Sequence, residues 1–318
     1  SGSGKTTLLR CLAGLERATA GSIRIDDRVV ADERTWLAPD RRGIGLVFQD
    51  GALWSHMTAL QHLTFAAPGL GREAARALLA RGGLAAHADK RPAALSGGEA
   101  QRLGLLRALA PSPAVLLLDE PLRSVDVHQR DALVVLVREL AAERALTTIL
   151  VTHDRDEALA LADELIVLHE GQLVEQGAAA ALLEAPATAF TAAFLRGAAC
   201  LATRAHGDRL STPFGEFPRP QATGDVRLVL FPGEAEARRI NGSTDGLRGR
   251  ILAAAPGEAG PRVRVAVGEQ IVVARPTEPL SIGDEATLHL STPPRLLPWR
   301  LDRPEPEVNQ VPPTRRVP

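Results

Sequence analysis

The chain has 318 residues, long enough for two domains, with 45% hydrophobic and 24% charged residues and a formal net charge of −1. That balance fits an ordinary globular protein and offers no broad electrostatic attraction to nucleic acid or anionic lipid. No run approaches about 18 uninterrupted apolar residues, so no membrane-spanning helix is expected, and Cys11 and Cys200 lie too far apart for a metal or redox spacing.

The sequence opens on Ser1-Gly2-Ser3-Gly4-Lys5-Thr6-Thr7, a phosphate-loop-like start rather than a leader, so no signal peptide is expected. Gly4-Lys5-Thr6 matches the end of the phosphate-loop pattern G-x-x-x-x-G-K-[ST]. The first glycine of that pattern would fall two positions before Ser1, so an N-terminal truncation is expected. Glycines let backbone N–H groups turn toward a phosphate, and the following helix adds its positive N-terminal end. Lys5 would reach the β- and γ-phosphates, and the Thr6 hydroxyl would bind Mg²⁺. Leu8, Leu12 and Leu15 then recur at helical spacing. The alternative is a flexible Gly/Ser tail ahead of a helix.

Ser22 to Val30 reads as two short strands about Asp26-Asp27, and Ile44 to Phe48 as a buried strand ending at Gln49. A lone glutamine in that place is ordinarily a solvated loop residue. Residues 61–94 read as one or two short helices interrupted at Gly82-Gly83. Leu95-Ser96-Gly97-Gly98-Glu99 then leads into an apolar helix through Ala110. The Ser-Gly-Gly turn fits an N-cap with a flexible entry or an anion-binding helix N-terminus equally well.

Val115-Leu116-Leu117-Leu118 followed by Asp119-Glu120-Pro121 is an aliphatic run ending in two adjacent carboxylates. Such a run predicts a strand buried on both faces that delivers two acids to the rim of a parallel sheet, where ligands bind. A loop, Leu122 to Asp126, precedes an amphipathic helix from His128 to Ala145, with Leu133, Leu136, Val137 and Leu140 on one face. Thr147 to Thr152 is a β-branched strand ending at His153, which places that histidine on the same rim as the two acids. A helix over Asp156 to Ala162 and a hairpin over Leu165 to Gln176, turning at Glu170-Gly171, follow. Past Ala185 to Ala205 the pattern changes to short strands: Val226–Phe231, Leu247–Ala253, Val263–Val267, Ile271–Ala274 and Ala286–Leu290. Their spacing predicts a small sandwich or barrel, followed by a proline- and charge-rich tail.

Taken together and in order, Ser1–Thr7, Gln49, Leu95–Arg102, Val115–Pro121 and His153 resemble five motifs of one family, the nucleotide-binding subunits of ATP-binding-cassette transporters. They correspond to its Walker A, Q-loop, LSGGQ-type signature, Walker B with catalytic glutamate, and switch histidine. The resemblance implies an α/β P-loop NTPase, with a RecA-like core and a helical subdomain, over residues 1–198. It implies ATP and Mg²⁺ as cofactors. Ser1, Gly2, Ser3, Gly4, Lys5, Thr6, Thr7 and Gln49 would hold the nucleotide. Ser96, Gly97, Gly98 and Glu99 would close over ATP bound to a second copy in a head-to-tail dimer. Thr6, Gln49 and Asp119 would serve the metal, Glu120 would act as general base, and His153 would contact the γ-phosphate.

The C-terminal part resembles the small all-β OB/TOBE-type domains that follow this cassette in bacterial importers, best over Gly224–Pro232 and Ile282–Glu285. The expected division is 1–198 ATPase, 199–222 linker, 223–297 TOBE-like domain and 298–318 disordered tail. Implied partners are a membrane permease, reached through the Q-loop region, and indirectly a solute-binding protein, with no nucleic acid. The implied place is the cytoplasmic face of the bacterial inner membrane. Arg41 to Asp50 and Thr212 to Gly215 lean toward ferric-iron importers. An exporter ATPase with a cargo-recognition domain, or a non-transport ATPase of the family, is the alternative. The chain departs from the family in four places: the missing upstream strands and first glycine, a short stretch between Gln49 and Ser96, Arg123-Ser124-Val125-Asp126 where Ser-Ala-Leu-Asp is common, and Glu99 for glutamine.

Overall fold

The computed structural model describes residues 2–49, 51–122, 127–218, 220, 225–240, 247–256 and 260–299, with no account of the side chains of 127–129. Internal contacts divide the chain into two compact units, residues 1–163 with 168–172, and residues 164–167 with 173–318. Ser1, the loop Arg123–Asp126 and the tail from Arg300 lie outside the described residues.

The first unit runs α1 (Lys5–Ala13), β1 (Ile23–Ile25), β2 (Arg28–Ala31), β3 (Ile44–Val47), α2 (Ala59–Ala66), α3 (Arg72–Arg81), α4 (Gly97–Leu109), β4 (Val115–Asp119), α5 (Val127–Glu143), β5 (Thr147–Val151) and α6 (Arg155–Leu161). β3, β4 and β5 form a parallel sheet with β4 in the centre. Alternate residues of β4 serve two cores. Leu117 packs with Leu9 and Ala13 of α1, while Leu116 and Leu118 pack with Leu103, Leu106, Leu133 and Leu140 of the helices on the other face. Both faces are covered, which is why β4 is aliphatic without interruption. α4 rides directly on β3: a Cβ at Gly45 would lie 2.5 Å from the Ala108 carbonyl oxygen, so only glycine fits there. The chain then enters a hairpin of β6 (Glu164–His169) and β7 (Gln172–Ala178), turning at Glu170 and Gly171 with φ of 48° and 75°.

The second unit holds α7 (Ala179–Glu184), α8 (Ala189–Arg196), β8 (Ala199–Ala202), β9 (Arg204–His206), β10 (Arg209–Thr212), β11 (Gly215–Pro218), β12 (Val226–Leu230), β13 (Ala235–Arg239), β14 (Leu247–Ala255), β15 (Arg262–Val267), β16 (Gln270–Pro276), β17 (Glu285–Leu290) and β18 (Arg295–Pro298). Strands β13-β16-β15-β14-β17 close into a barrel filled by Ala235, Ala237, Val265, Ala274, Ala286 and Leu288. β12 lies between β8 and β18, and this sheet is covered by Ala189 and Ala192 of α8.

Three expectations change. The span 199–222, read as a linker, carries strands β8 to β11, because β8 pairs with β12 and β9–β11 form their own meander. The break between compact units falls in the β6–β7 hairpin rather than at residue 198, since α8 packs on β8 and β12. β18 and Trp299 occupy the start of the expected tail. The helix-prone stretch Ala235-Glu236-Ala237-Arg238-Arg239 is also a strand, its two alanines fully enclosed by the barrel.

Each unit encloses one cysteine. Burial pushes the Cys200 thiol up to about 11, and Cys11 is buried in α1. With a pKa of about 11, roughly one Cys200 in a thousand is thiolate at pH 8, so iodoacetamide should leave it unmodified in the native chain. In urea its alkylation should track unfolding of the second unit, as read by mass spectrometry. Rapid labelling in buffer would contradict this burial.

Candidate active site

The loop before α1 is turned by glycine in the left-handed region, with φ of 82° at Gly2 and 83° at Gly4, the helix N-cap. No acid stands in the first turn of α1, so its positive end is uncompensated. Lys5 Nζ donates to Ser3 Oγ at 2.7 Å, which draws the ammonium over the loop. The far end of α1 is held by a residue to which sequence reading assigned no structural role. Arg42, 3% exposed, donates to the carbonyls of Cys11 and Leu12 at 2.8 Å and of Leu37 at 2.9 Å, and lies 4.7 Å from the centre of the Trp36 ring. A cation on the terminal carbonyls suits the negative end of a helix.

On the sheet rim, Asp119 is the last residue of β4 and lies opposite Val151 of β5. Thr6 Oγ1 donates to Asp119 Oδ1 at 3.3 Å, joining the first turn of α1 to the rim. Burial pushes the Asp119 carboxyl above its ordinary range; the Thr6 bond opposes this, the Glu120 charge adds to it, and Arg10 and Lys5 oppose it. Glu120 turns sharply, with φ of 46°, while its N–H still donates to the Val151 carbonyl at 2.9 Å. A non-glycine residue in that conformation is strained, and here the turn brings Glu120 Oε1 to 2.8 Å from His153 Nδ1. A carboxylate only accepts, so Nδ1 carries the proton of this pair. Glu120 is mostly enclosed (17% side-chain exposure) and His153 open (58%), so the dyad faces solvent through the histidine.

Among the described residues, no group of three or more His, Cys, Asp or Glu is placed to hold a metal ion by itself. One carboxylate beside one hydroxyl matches Mg²⁺, which keeps several waters and takes its remaining ligands from substrate phosphates. The pair Thr6–Asp119, next to the Gly4 turn, therefore fits a magnesium–nucleotide and not a self-sufficient metal cage.

Gln49 leaves the end of β3, half-buried. The loop after it is held from two sides. Arg107 of α4 donates to the Ala52 carbonyl and, at 3.2 Å, to that of Gly51, and sits 5.0 Å from the Trp54 ring centre. His62 of α2, fully buried, accepts the Trp54 N–H at 2.9 Å. Ser96 is the N-cap of α4 and forms a reciprocal capping box: its Oγ accepts from Glu99 N at 3.3 Å, and Glu99 Oε2 accepts from Ser96 N at 2.8 Å. Glu99, expected to face nucleotide, thus directs its carboxylate at its own chain, with Oε1 3.3 Å from His87 Nδ1. The Ser96 backbone bond is the main reason its carboxyl is held below the usual range. Gly97 is exposed and Gly98 buried in the first turn behind the cap. The structure therefore joins Lys5, Thr6 and Asp119 in one group and Glu120 and His153 in another. Among the described contacts, none ties Gln49 or Ser96–Glu99 to either.

Residues 1–123 match the family model described as ABC transporter. The chain is 39% identical over 266 residues to the Fe(3+) ions import ATP-binding protein FbpC of Agrobacterium fabrum, covering 79% of this chain and 74% of that protein. It is 41% identical over 256 residues to the sulfate/thiosulfate import ATP-binding protein CysA of Mycobacterium bovis, covering 78% and 68%. Among solved structures it is similar to cbiO1 of Clostridium perfringens, described as part of the ABC transporter complex cbiONQ. The TM-score is 0.52 at 30% identity, covering 58% of this chain and 76% of that one.

The capping box gives a direct test of the local geometry. Ser96→Ala should lower stability by about 0.5–2 kcal/mol, measured as a shift of the urea midpoint. Glu99→Gln should hold the midpoint, because glutamine can return the same bond to Ser96 N–H. Equal midpoints for Ser96→Ala and the parent would rule the cap out.

Proposed function

This chain belongs to the ABC transporter family as an importer-type ATP-binding subunit and an ATPase, and from that premise we propose that it hydrolyses Mg²⁺-ATP to drive uptake of ferric iron. One observation carries the reading of the site: Thr6–Asp119 and Glu120–His153 stand side by side on the rim where α1 begins. Gly2, Ser3, Gly4 and Thr7 line the turn that receives the phosphates, and Lys5 meets the β- and γ-oxygens. When bound, Mg²⁺ would neutralise phosphate charge, and Asp119 and Thr6 are the residues to hold it, with Gln49 as the further ligand to reach it from the loop after β3.

Glu120 accepts a proton from the attacking water as the water oxygen bonds to the γ-phosphorus and the bridge to the β-phosphate breaks, giving ADP and inorganic phosphate. His153 holds Glu120 in place through Nδ1, and its second ring nitrogen is the group to meet the γ-phosphate. Ser96 keeps its hydroxyl proton for an outside acceptor, since its oxygen accepts the Glu99 N–H. That supports a role for Ser96, Gly97 and Gly98 against ATP on a second copy. A closed dimer that binds ATP more tightly than the open one converts binding into a shape change of the attached permease. Association with a permease places the chain peripherally at the cytoplasmic face of the membrane. Among the described residues, no helix is long and apolar enough to span it. Relatives named for Fe(3+) import support iron as cargo. The five-stranded barrel supports a TOBE-like reading of the C-terminal part.

Glu120→Gln should bind ATP yet hydrolyse it roughly a hundredfold more slowly, and accumulate as a nucleotide-bound dimer in size-exclusion chromatography. Undiminished turnover would remove Glu120 from the role of base. Ser96→Arg should bind ATP but stay monomeric. The partner binding protein should retain Fe³⁺ when purified; sulfate or a polyamine in its place would replace iron as the cargo.

A further inference from the structure

The segment that carries His153 contains a buried acid that the hydrolysis scheme leaves unused. Glu157, in the first turn of α6, is 6% exposed. Its Oε2 accepts the Thr152 hydroxyl at 2.5 Å, and its Oε1 is buried with no hydrogen-bond partner among the described residues. Thr152 Oγ1 also accepts the Asp154 N–H at 2.9 Å. One hydroxyl thus spans His153, bonding the backbone beyond it and the acid beneath it, and this turn fixes the backbone torsions of the histidine. On the other flank Asp154 accepts the N–H groups of Asp156 and Glu157 at 2.9 and 3.2 Å and pairs with Arg130 of α5 at 3.0 Å.

A half-satisfied buried carboxyl is expensive, and an aliphatic side chain of similar size would be more stable in its place. Burial pushes the Glu157 carboxyl above its ordinary range, and the nearby Asp154 and Glu120 charges push the same way. Stability therefore does not account for an acid here. Geometry does: without Glu157 the Thr152 hydroxyl keeps only the bond from the Asp154 N–H, and His153, already open to solvent, loses part of the support that holds it 2.8 Å from Glu120.

We propose that Glu157 is a positioning residue for ATP hydrolysis, which holds His153 against Glu120 through the Thr152 hydroxyl. The inference rests on the roles given above to His153 and Glu120. Glu157→Leu and Thr152→Val should each lower kcat about tenfold while the KM for ATP stays within about twofold, the pattern of an interaction made in the transition state. The double variant should be no slower than the worse single one, because both remove the same link. Glu157→Gln and Thr152→Ser, which keep an acceptor and a hydroxyl, should recover turnover to within about twofold of the parent. A purely structural role would instead lower the melting temperature and leave kcat of the folded protein intact. His153→Ala separates the two ideas. Full turnover in that variant would overturn the functional reading of the site itself. Loss of turnover there, together with full kcat in Glu157→Leu and Thr152→Val, would overturn the role of Glu157 alone. Losses that multiply in the double variant would also overturn it.

Discussion

The burial of β4 on both faces is the constraint on which the rest of the first unit depends. Leu117 is held by α1 and Leu116 and Leu118 by the helices opposite, so the strand can neither slip nor tilt without opening one of two cores. A fixed strand ends at a fixed point. Asp119 and Glu120 are therefore delivered to the rim with little freedom, and Thr6 and His153 reach them from neighbouring elements that share those cores. The left-handed turn at Glu120 is tolerated because the sheet bond to Val151 and the contact with His153 hold it from both sides.

The same logic separates the two acids chemically. Asp119 is enclosed and meets a neutral hydroxyl, whereas Glu120 meets an imidazole that opens to solvent. Adjacent in sequence and alike in composition, they differ in what each can do with a proton. The difference is set by α1 and β5, not by anything within β4.

Much of this was legible in the sequence because local pattern and tertiary role agree. β3, β4 and β5 are apolar or β-branched runs, and β4, covered on both faces, requires that most strictly. The barrel strands with alternating branched residues, such as Val263 to Val267, were equally plain. Two arginines were missed because most of their partners lie far along the chain. Arg42 binds carbonyls about thirty residues earlier, and Arg107 grips a loop more than fifty residues before it. An isolated arginine or glutamate in a polar or helical stretch reads as a solvated side chain, so neither of these residues nor Glu157 could be told from its neighbours. The Ser96 turn stayed ambiguous for a different reason, since an N-cap and an anion site begin with the same residues. Strands β9 to β11 were missed because they are short and largely exposed, leaving no alternation to detect.

Helix α4 presents Ser96 at one end and, near the other, holds the loop after Gln49 through a single guanidinium. The two points are roughly 17 Å apart along a helix that is buried over most of its length. A rod clamped in this way has few soft modes of its own. The loop and Ser96 are thus joined through one continuous helical backbone, not through a relay of side chains. The closest backbone approach of α4 to β3, at Gly45 and Ala108, lies right beside the residue that holds the loop. A side chain at position 45 would therefore push on the helix at the very point where the loop after Gln49 is gripped.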